Sequence, residues 1–172
     1  MLPLGSRRGG VTRFYRIDRM PNQLSDTKAA IKYRCREEVL VADVVGAMLV
    51  RNGQVLLGLR AAHKSFAGDW DIIGGHIETG ETQWSALCRE LVEEIGVQCV
   101  SGDYLGTFNI GDADRPTLLH VYAVSSWEGE PSVRNSEHTE VRWFAWDAAE
   151  RLPNLAIPVG ACNHSGVCSQ TA

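Results

Sequence analysis

Glu90, Glu93 and Glu94 stand three and four residues apart, the spacing at which side chains share one face of an α-helix. Carboxylates placed this way repel one another by a few tenths of a kcal/mol per pair. A solvated helix face tolerates that cost, and a bound divalent cation removes it. Oxygen donors alone suit a hard cation such as Mg2+ or Mn2+. On spacing by itself, an acidic surface patch and a metal site both stay open.

The element that must carry these residues runs from Thr82 to Ile95. Trp84, Leu87, Cys88, Leu91 and Ile95 recur at threes and fours, forming an apolar stripe, and Gly96 is a natural stop just past the end. At about 100° per residue the acidic face lies away from that stripe. The expected helix therefore buries one side and shows three carboxylates on another.

Around it the pattern is that of strands. Val39 to Val50 is apolar and β-branched and reads as a buried strand. Asn52-Gly53 is a two-residue hairpin turn, and Gln54 to Arg60 is the returning strand. A short apolar run follows from Trp70 to Ile73, which Gly74-Gly75 should break. Further strands are expected at 104–110, 118–126 and 141–146, with Gly111 to Pro116 as a hairpin loop and a short helical piece near Asp147 to Arg151. Ser25 is a plausible cap for a helix over 25–38. Residues 1–38 then form a partly flexible extension, 39–153 the domain and 154–172 an irregular tail.

The 172 residues suit one domain with a substantial core. Hydrophobic and charged fractions of 44% and 22% are those of a globular protein. A net charge of −4 argues against a general nucleic-acid binder, which would be basic. It leaves room for a small anion met by a metal or by local positive charge. No stretch approaches the roughly 18 apolar residues of a membrane span, and the opening MLPLGSRRGG has no apolar core after its basic pair. Cytoplasm is the expected compartment. Cys35, Cys88, Cys99, Cys162 and Cys168 form no tight framework, which fits reduced thiols. Cys162, His164 and Cys168 lack the second ligand pair that a zinc site needs.

The residues flanking the glutamates decide between patch and site. The segment reads GHIETGETQWSALCRELVEEIGV, with Gly75, Glu81, Arg89, Glu90, Leu91, Glu93, Glu94, Gly96 and Val97 in the order and spacing GX5EX7REUXEEXGU, where U is aliphatic. This is the full Nudix box. The VLLGLR strand, the GDWDIIGGHIE approach and the later WEGEP and EVRWF segments also resemble Nudix domains, over roughly residues 39–153. The nearest flavour is the MutT-like nucleotide pyrophosphatases. The resemblance implies an α+β fold, a mixed β-sheet sandwiched between helices (α/β/α).

It also implies roles. Glu93 and Glu94 would be metal ligands, joined by the Gly74 carbonyl. Glu90 would be the general base and could touch the metal as well. Arg89 would orient the box carboxylates, pairing with Glu81. A fourth carboxylate usually comes from a later loop: Glu137 is the candidate, ahead of Glu140, and Glu78 belongs near the same cluster. Arg60, Lys64 and Asp71 would meet the substrate, with His63 beside them, although a plain basic loop would look the same. The proline common before Gly-Gly in MutT-like sequences is absent, Ile72-Ile73 standing there instead, which bears on the local backbone and base selection. Phe108, Asn109, His120 and Trp127 could border the substrate or belong to the core.

The implied reaction is NDP-X + H2O giving NMP + P-X with Mg2+, or Mn2+ as its substitute. A (d)NTP is the leading substrate. A nucleotide sugar of the GDP-mannose type or ADP-ribose is the alternative, and a Nudix-fold nucleotide sensor is the alternative outside enzymes. The partner is thus a small nucleotide, without a stable nucleic-acid or membrane partner, and the family allows a homodimer.

Overall fold

The computed structural model describes residues 6–8, 11–18, 34–112 and 115–157, with side-chain contacts drawn from residue 41 onward. Strands β1 (Ser6–Arg8) and β2 (Val11–Asp18) pair antiparallel, and β2 lies antiparallel along the first half of β3, Arg34–Arg51. This departs from the flexible extension expected over 1–38. Residues 34–38 are strand where a helix was expected over 25–38, and 25–33 lie outside the described residues. A cap signal at Ser25 is a weak local preference. Pairing with β2, a partner distant in sequence, overrides it.

The second half of β3 is the hub of the sheet. It runs parallel to β8 (Thr117–Glu128) over Ala42 to Leu49 and antiparallel to β6 (Ile73–His76) over Val44 to Ala47. A strand with neighbours on both edges and packing on both faces reads as a continuous apolar run, and Val39 to Val50 does. Asn52 and Gly53, at φ 52° and 72°, turn the chain into β4 (Gln54–Arg60), as the hairpin signal predicts.

The apolar run from Trp70 divides instead of forming one strand. Trp70–Asp71 (β5) pairs with β4, whereas Ile73–His76 (β6) pairs with β3. Gly74 and Gly75 thus sit inside a strand, not at its break. β7 (Gln98–Asn109) starts six residues ahead of the expected 104 and pairs with β8. Its register shifts between Cys99 and Ser101, Ser101 and Gly102, and Tyr104 and Gly106, and such bulges erase the alternation that would mark a strand. β9 (His138–Ala145) pairs with β4 and leads into α2, Trp146–Ala149.

Helix α1 spans Gln83–Ile95, one residue inside the expected start. Thr82 caps it, its hydroxyl accepting from the Ser85 amide while the Ser85 hydroxyl accepts from the Thr82 amide. Gly96 closes it at φ 72°. Val45, Ala47 and Leu49 of β3 pack with Leu87, Leu91 and Ile95 of α1. On the other face Met48, Val55 and Leu57 pack with Trp146 and Ala149 of α2. The mixed sheet is therefore sandwiched between helices, an α+β architecture. Packing continues past 153: Asn154 and Ala156 bond the Trp70 backbone, and Leu155 and Ile157 join the second cluster. Among the described residues no helix is long and apolar enough to cross a membrane.

Candidate metal centre

The three box glutamates do not share one solvated face. Side-chain exposure falls from 54% at Glu93 to 12% at Glu90 and 3% at Glu94. At about 100° per residue Glu93 lies opposite the apolar stripe and Glu90 on its flank, but Glu94, seven residues after Leu87, lies only about 20° from it, at the edge of the stripe and nearer the core than the sequence reading placed it. The fold then brings His138 of β9 and the Gly74 backbone of β6 over the flank that carries Glu94. Only Glu93 keeps the exposure expected of an acidic surface.

Arg89 organises the exposed end of this cluster. Its guanidinium donates through Nε and NH2 to the two oxygens of Glu81, each at 2.9 Å, through NH1 to Glu90 at 2.9 Å, and through NH2 to the His76 carbonyl at 2.9 Å. Glu93 lies 3.5 Å from NH1. Hydrogen bonds from Arg89, and then from the Glu78 amide, hold the Glu81 carboxyl down at about 2. A fork of this kind fixes direction as well as charge. Glu90 is further fitted to Gly75: a Cβ there would lie 2.4 Å from Glu90 Oε1.

The buried end is different. Among the described residues Glu94 Oε2 and both ring nitrogens of His138 have no hydrogen-bond partner, and Oε2 lies 3.8 Å from His138 Nδ1. Burial pushes the Glu94 carboxyl up to about 8, with the Glu90 and Glu137 carboxylates adding to the rise and the Gly74 amide and Arg60 opposing it. Glu90 is raised too, chiefly by burial, with Glu93 and Glu137 contributing. Burial holds His138 down at about 4, with Arg60 acting in the same direction.

The basic residues approach from the loop after β4. Arg60 donates to the Ser65 carbonyl at 2.6 Å and reaches Asp71 at 3.4 Å. Lys64 forms an ion pair with Glu137, and the Glu137 carbonyl receives the Ala61 amide. Asp71, expected at the substrate, is buried, and its carboxylate is engaged by Arg60 and the Ile72 amide. It braces Arg60 from behind. Glu140 pairs with Arg142 and is 41% exposed, so of the two loop candidates only Glu137 adjoins the cluster. Glu78 is exposed and contributes its amide to Glu81.

The NUDIX domain family model matches residues 40–160. The chain belongs to the Nudix family. The CTP pyrophosphohydrolase of Escherichia coli (strain K12) is 33% identical over 111 residues, 64% of this chain and 81% of that protein. The 8-oxo-dGTP diphosphatase of the same strain is 34% identical over 115 residues, 67% of this chain and 89% of that protein. Among solved structures, the MutT NUDIX hydrolase from Burkholderia pseudomallei is similar at TM-score 0.60 and 32% identity, over 63% of this chain and 85% of that one. As a Nudix hydrolase the chain is an enzyme that cleaves diphosphate bonds, and enzymes of the family need a divalent cation.

The residues present fit that requirement. The donors are hard oxygens, and Glu94 offers a buried oxygen with no partner, which a cation would satisfy. Among the described residues no three acidic, histidine or cysteine side chains already surround a common point. The reason is visible in the ion pairs: Glu90 and Glu93 turn toward Arg89, and Glu137 toward Lys64.

Other residues singled out in this Nudix chain have structural partners. His120 is buried between Asp43, Thr107 and Gln83, and Phe108 packs in the second core cluster. Trp127 stacks on Trp143 at 6.0 Å, and the Asn109 side chain accepts from the Gly111 and Thr117 amides. His63 is exposed, while Cys162, His164 and Cys168 lie outside the described residues. Cys88 and Cys99 are free thiols. The residue that sequence reasoning passed over is His138. Its signals were a glycine in the interior of a strand, Gly58, and a histidine directly after the loop glutamate.

Proposed function

We propose that this Nudix hydrolase cleaves a (d)NTP to the nucleoside monophosphate and pyrophosphate with Mg2+, Mn2+ serving as a substitute. The observation that carries this reading is the buried, unpartnered Glu94 oxygen beside the Glu90 and Glu137 carboxylates. Such a cluster needs positive charge, and the Mg2+ that accompanies a triphosphate would supply it. The nucleotides named for the two Escherichia coli relatives, CTP and 8-oxo-dGTP, support a nucleoside triphosphate.

In this reading the Gly74 carbonyl, Glu90, Glu93, Glu94 and Glu137 hold the cation. A cation held there would offset the charge of the diphosphate and lower the pKa of the attacking water. Glu90 accepts the proton from that water, its affinity for it raised by burial. Arg89 keeps Glu90 aimed and is itself locked by Glu81. Arg60 and Lys64 face the phosphates, with Asp71 holding Arg60 in place. Water adds to one phosphorus, and the anhydride oxygen leaves with the other.

The test is a panel of (d)NTPs, 8-oxo-dGTP, GDP-mannose, ADP-ribose and dinucleoside polyphosphates with Mg2+ or Mn2+, followed by product analysis. Monophosphate and pyrophosphate from a (d)NTP are expected, and Glu93→Gln or Glu94→Gln should each abolish the metal-dependent rate. Turnover confined to GDP-mannose or ADP-ribose would transfer the substrate to that class. Nucleotide binding without turnover would make the chain a sensor. Near-normal rates in both glutamine variants would remove the metal assignment.

A further inference from the structure

His138 has the placement of a functional group and none of the bonds of a structural one. It is 4% exposed, and neither ring nitrogen has a hydrogen-bond partner among the described residues. A buried donor or acceptor left without a partner is destabilising, whereas an apolar side chain of similar shape carries no such penalty. The fold nevertheless makes room for this ring. Gly58 of β4 lies against it, and a Cβ at that position would come within 2.4 Å of His138 Cδ2 and 2.7 Å of Nε2. A glycine in the middle of a strand is itself unfavourable. Two locally unfavourable choices, on two paired strands, thus serve one arrangement.

What the arrangement does follows from the opposite side of the ring. The Cδ2 edge of the ring lies toward Gly58, and Nδ1 lies 3.8 Å from Glu94 Oε2, an oxygen that is also without a partner among the described residues. The gap is about 1 Å longer than a hydrogen bond. A carboxylate that ligates a cation is generally oriented by a hydrogen bond of its own.

We propose that His138 is the positioning residue of Glu94: Nδ1–H donates to the carboxylate and fixes the rotamer in which it reaches the cation, Oε2 having two lone pairs with which to meet both. The proposal rests on Glu94 being a ligand, as read above. It assigns to His138 no contact with substrate.

The experiment measures Mn2+ binding by the full chain, from the electron paramagnetic resonance signal of free Mn2+, together with thermal melting of the metal-free protein. His138→Leu keeps the bulk and removes the donor, while His138→Asn returns an amide donor near Nδ1. The leucine variant should bind Mn2+ about 10- to 100-fold more weakly, with a melting temperature equal to or above that of the parent. The asparagine variant should recover most of the affinity. A leucine variant that binds Mn2+ like the parent overturns the proposal, and so do two variants weakened equally. A readout on the unaltered protein stands beside these if the leucine variant does not fold. Imidazole 15N shifts of His138 in the diamagnetic Mg2+-loaded protein should show the proton on Nδ1, and a proton on Nε2 overturns the proposal. Parent protein that binds Mn2+ and releases no phosphate product from any nucleotide would overturn the reaction and leave the role of His138 standing. Parent protein that binds no Mn2+ overturns both.

Discussion

Gly75 is in contact with the carboxylate of Glu90, so that a methyl group at position 75 would sit 2.4 Å from Glu90 Oε1. The two residues lie on different elements, β6 and α1, and their closeness sets where the Glu90 oxygens can be. Gly75→Ala therefore acts on the position of the proposed base and much less on the fold, because the clashing atoms are the end of a side chain. The expected outcome is a loss of kcat of about 100-fold, the scale of a misplacement near 1 Å, with a melting temperature close to that of the parent. A fall in melting temperature that accounts for the lost activity would count against it.

Arg89 is the second lever on Glu90. Four of its contacts use the planar fork: both oxygens of Glu81, Glu90 and the His76 carbonyl. A lysine cannot span them. Arg89→Lys should lower kcat by at least tenfold while leaving KM within a few-fold, since no substrate contact is removed. It should also alter the acid limb of stability. The Glu81 carboxyl is held down at about 2 by Arg89, so this pair stabilises the folded protein above the ordinary glutamate range and the contribution is lost as pH falls toward 2. The stability difference between the parent and the lysine variant, read by denaturant titration, should shrink over that window.

What was readable before folding, and what was not, divides along a physical line. The box is a local object, a loop and a helix, so spacing put Glu90, Glu93 and Glu94 together on one helix and the family resemblance added Arg89 and Glu81. The Arg89–Glu81 bond was implied by the family resemblance and is present. The grading of the glutamates follows the helix, Glu94 lying nearest the apolar stripe, but its cover was not readable, because His138 lies 44 positions later on a strand of its own. Glu137 lies just before β9 and Glu140 within it, and where that strand begins depends on its pairing with β4, which spacing along the sequence does not give. The strands over 6–18 and 98–103 escaped notice for related reasons. The first depends on pairing with β3, and the second is interrupted by bulges.

Asp71 gives a test of pH dependence away from the proposed cation. Burial pushes its carboxyl up from 3.8 to about 6 against the opposing effect of Arg60. A raised folded-state value means that the folded protein holds the proton more tightly than the unfolded chain does. Asp71 is therefore neutral and without cost below about 3.8, and the folded protein loses stability as pH rises from there through about 6. Asp71→Asn keeps an acceptor for the Ile72 amide and has nothing to titrate. Comparing the two proteins cancels every other group. Between pH 3.5 and pH 7 the stability difference should move in favour of the asparagine variant by roughly 3 kcal/mol, measured by urea unfolding. A difference that stays constant with pH would show that Asp71 is not burdened by burial. In the same variant Arg60 loses its anchor, so KM for the nucleotide should rise.

Glu137 and Lys64 supply the sharpest test of how the ligand shell closes. Glu137 raises the proton affinity of both Glu90 and Glu94, which places its charge within reach of theirs, yet its carboxylate is turned to Lys64. Glu140, three residues on, is engaged with Arg142. Glu137→Gln should then weaken Mn2+ binding by about tenfold or more, as loss of a ligand does, and lower kcat with it, while Glu140→Gln leaves both within about twofold. Lys64 should act in opposite directions on the two ligands. Without nucleotide it competes with the cation for Glu137, so Lys64→Met should tighten Mn2+ binding. With nucleotide present it is free to face the phosphates, so the same variant should raise KM. Weaker Mn2+ binding in Lys64→Met would mean that the lysine supports the acidic cluster instead of competing for it, and an inactive Glu140→Gln beside an active Glu137→Gln would transfer the fourth carboxylate to Glu140.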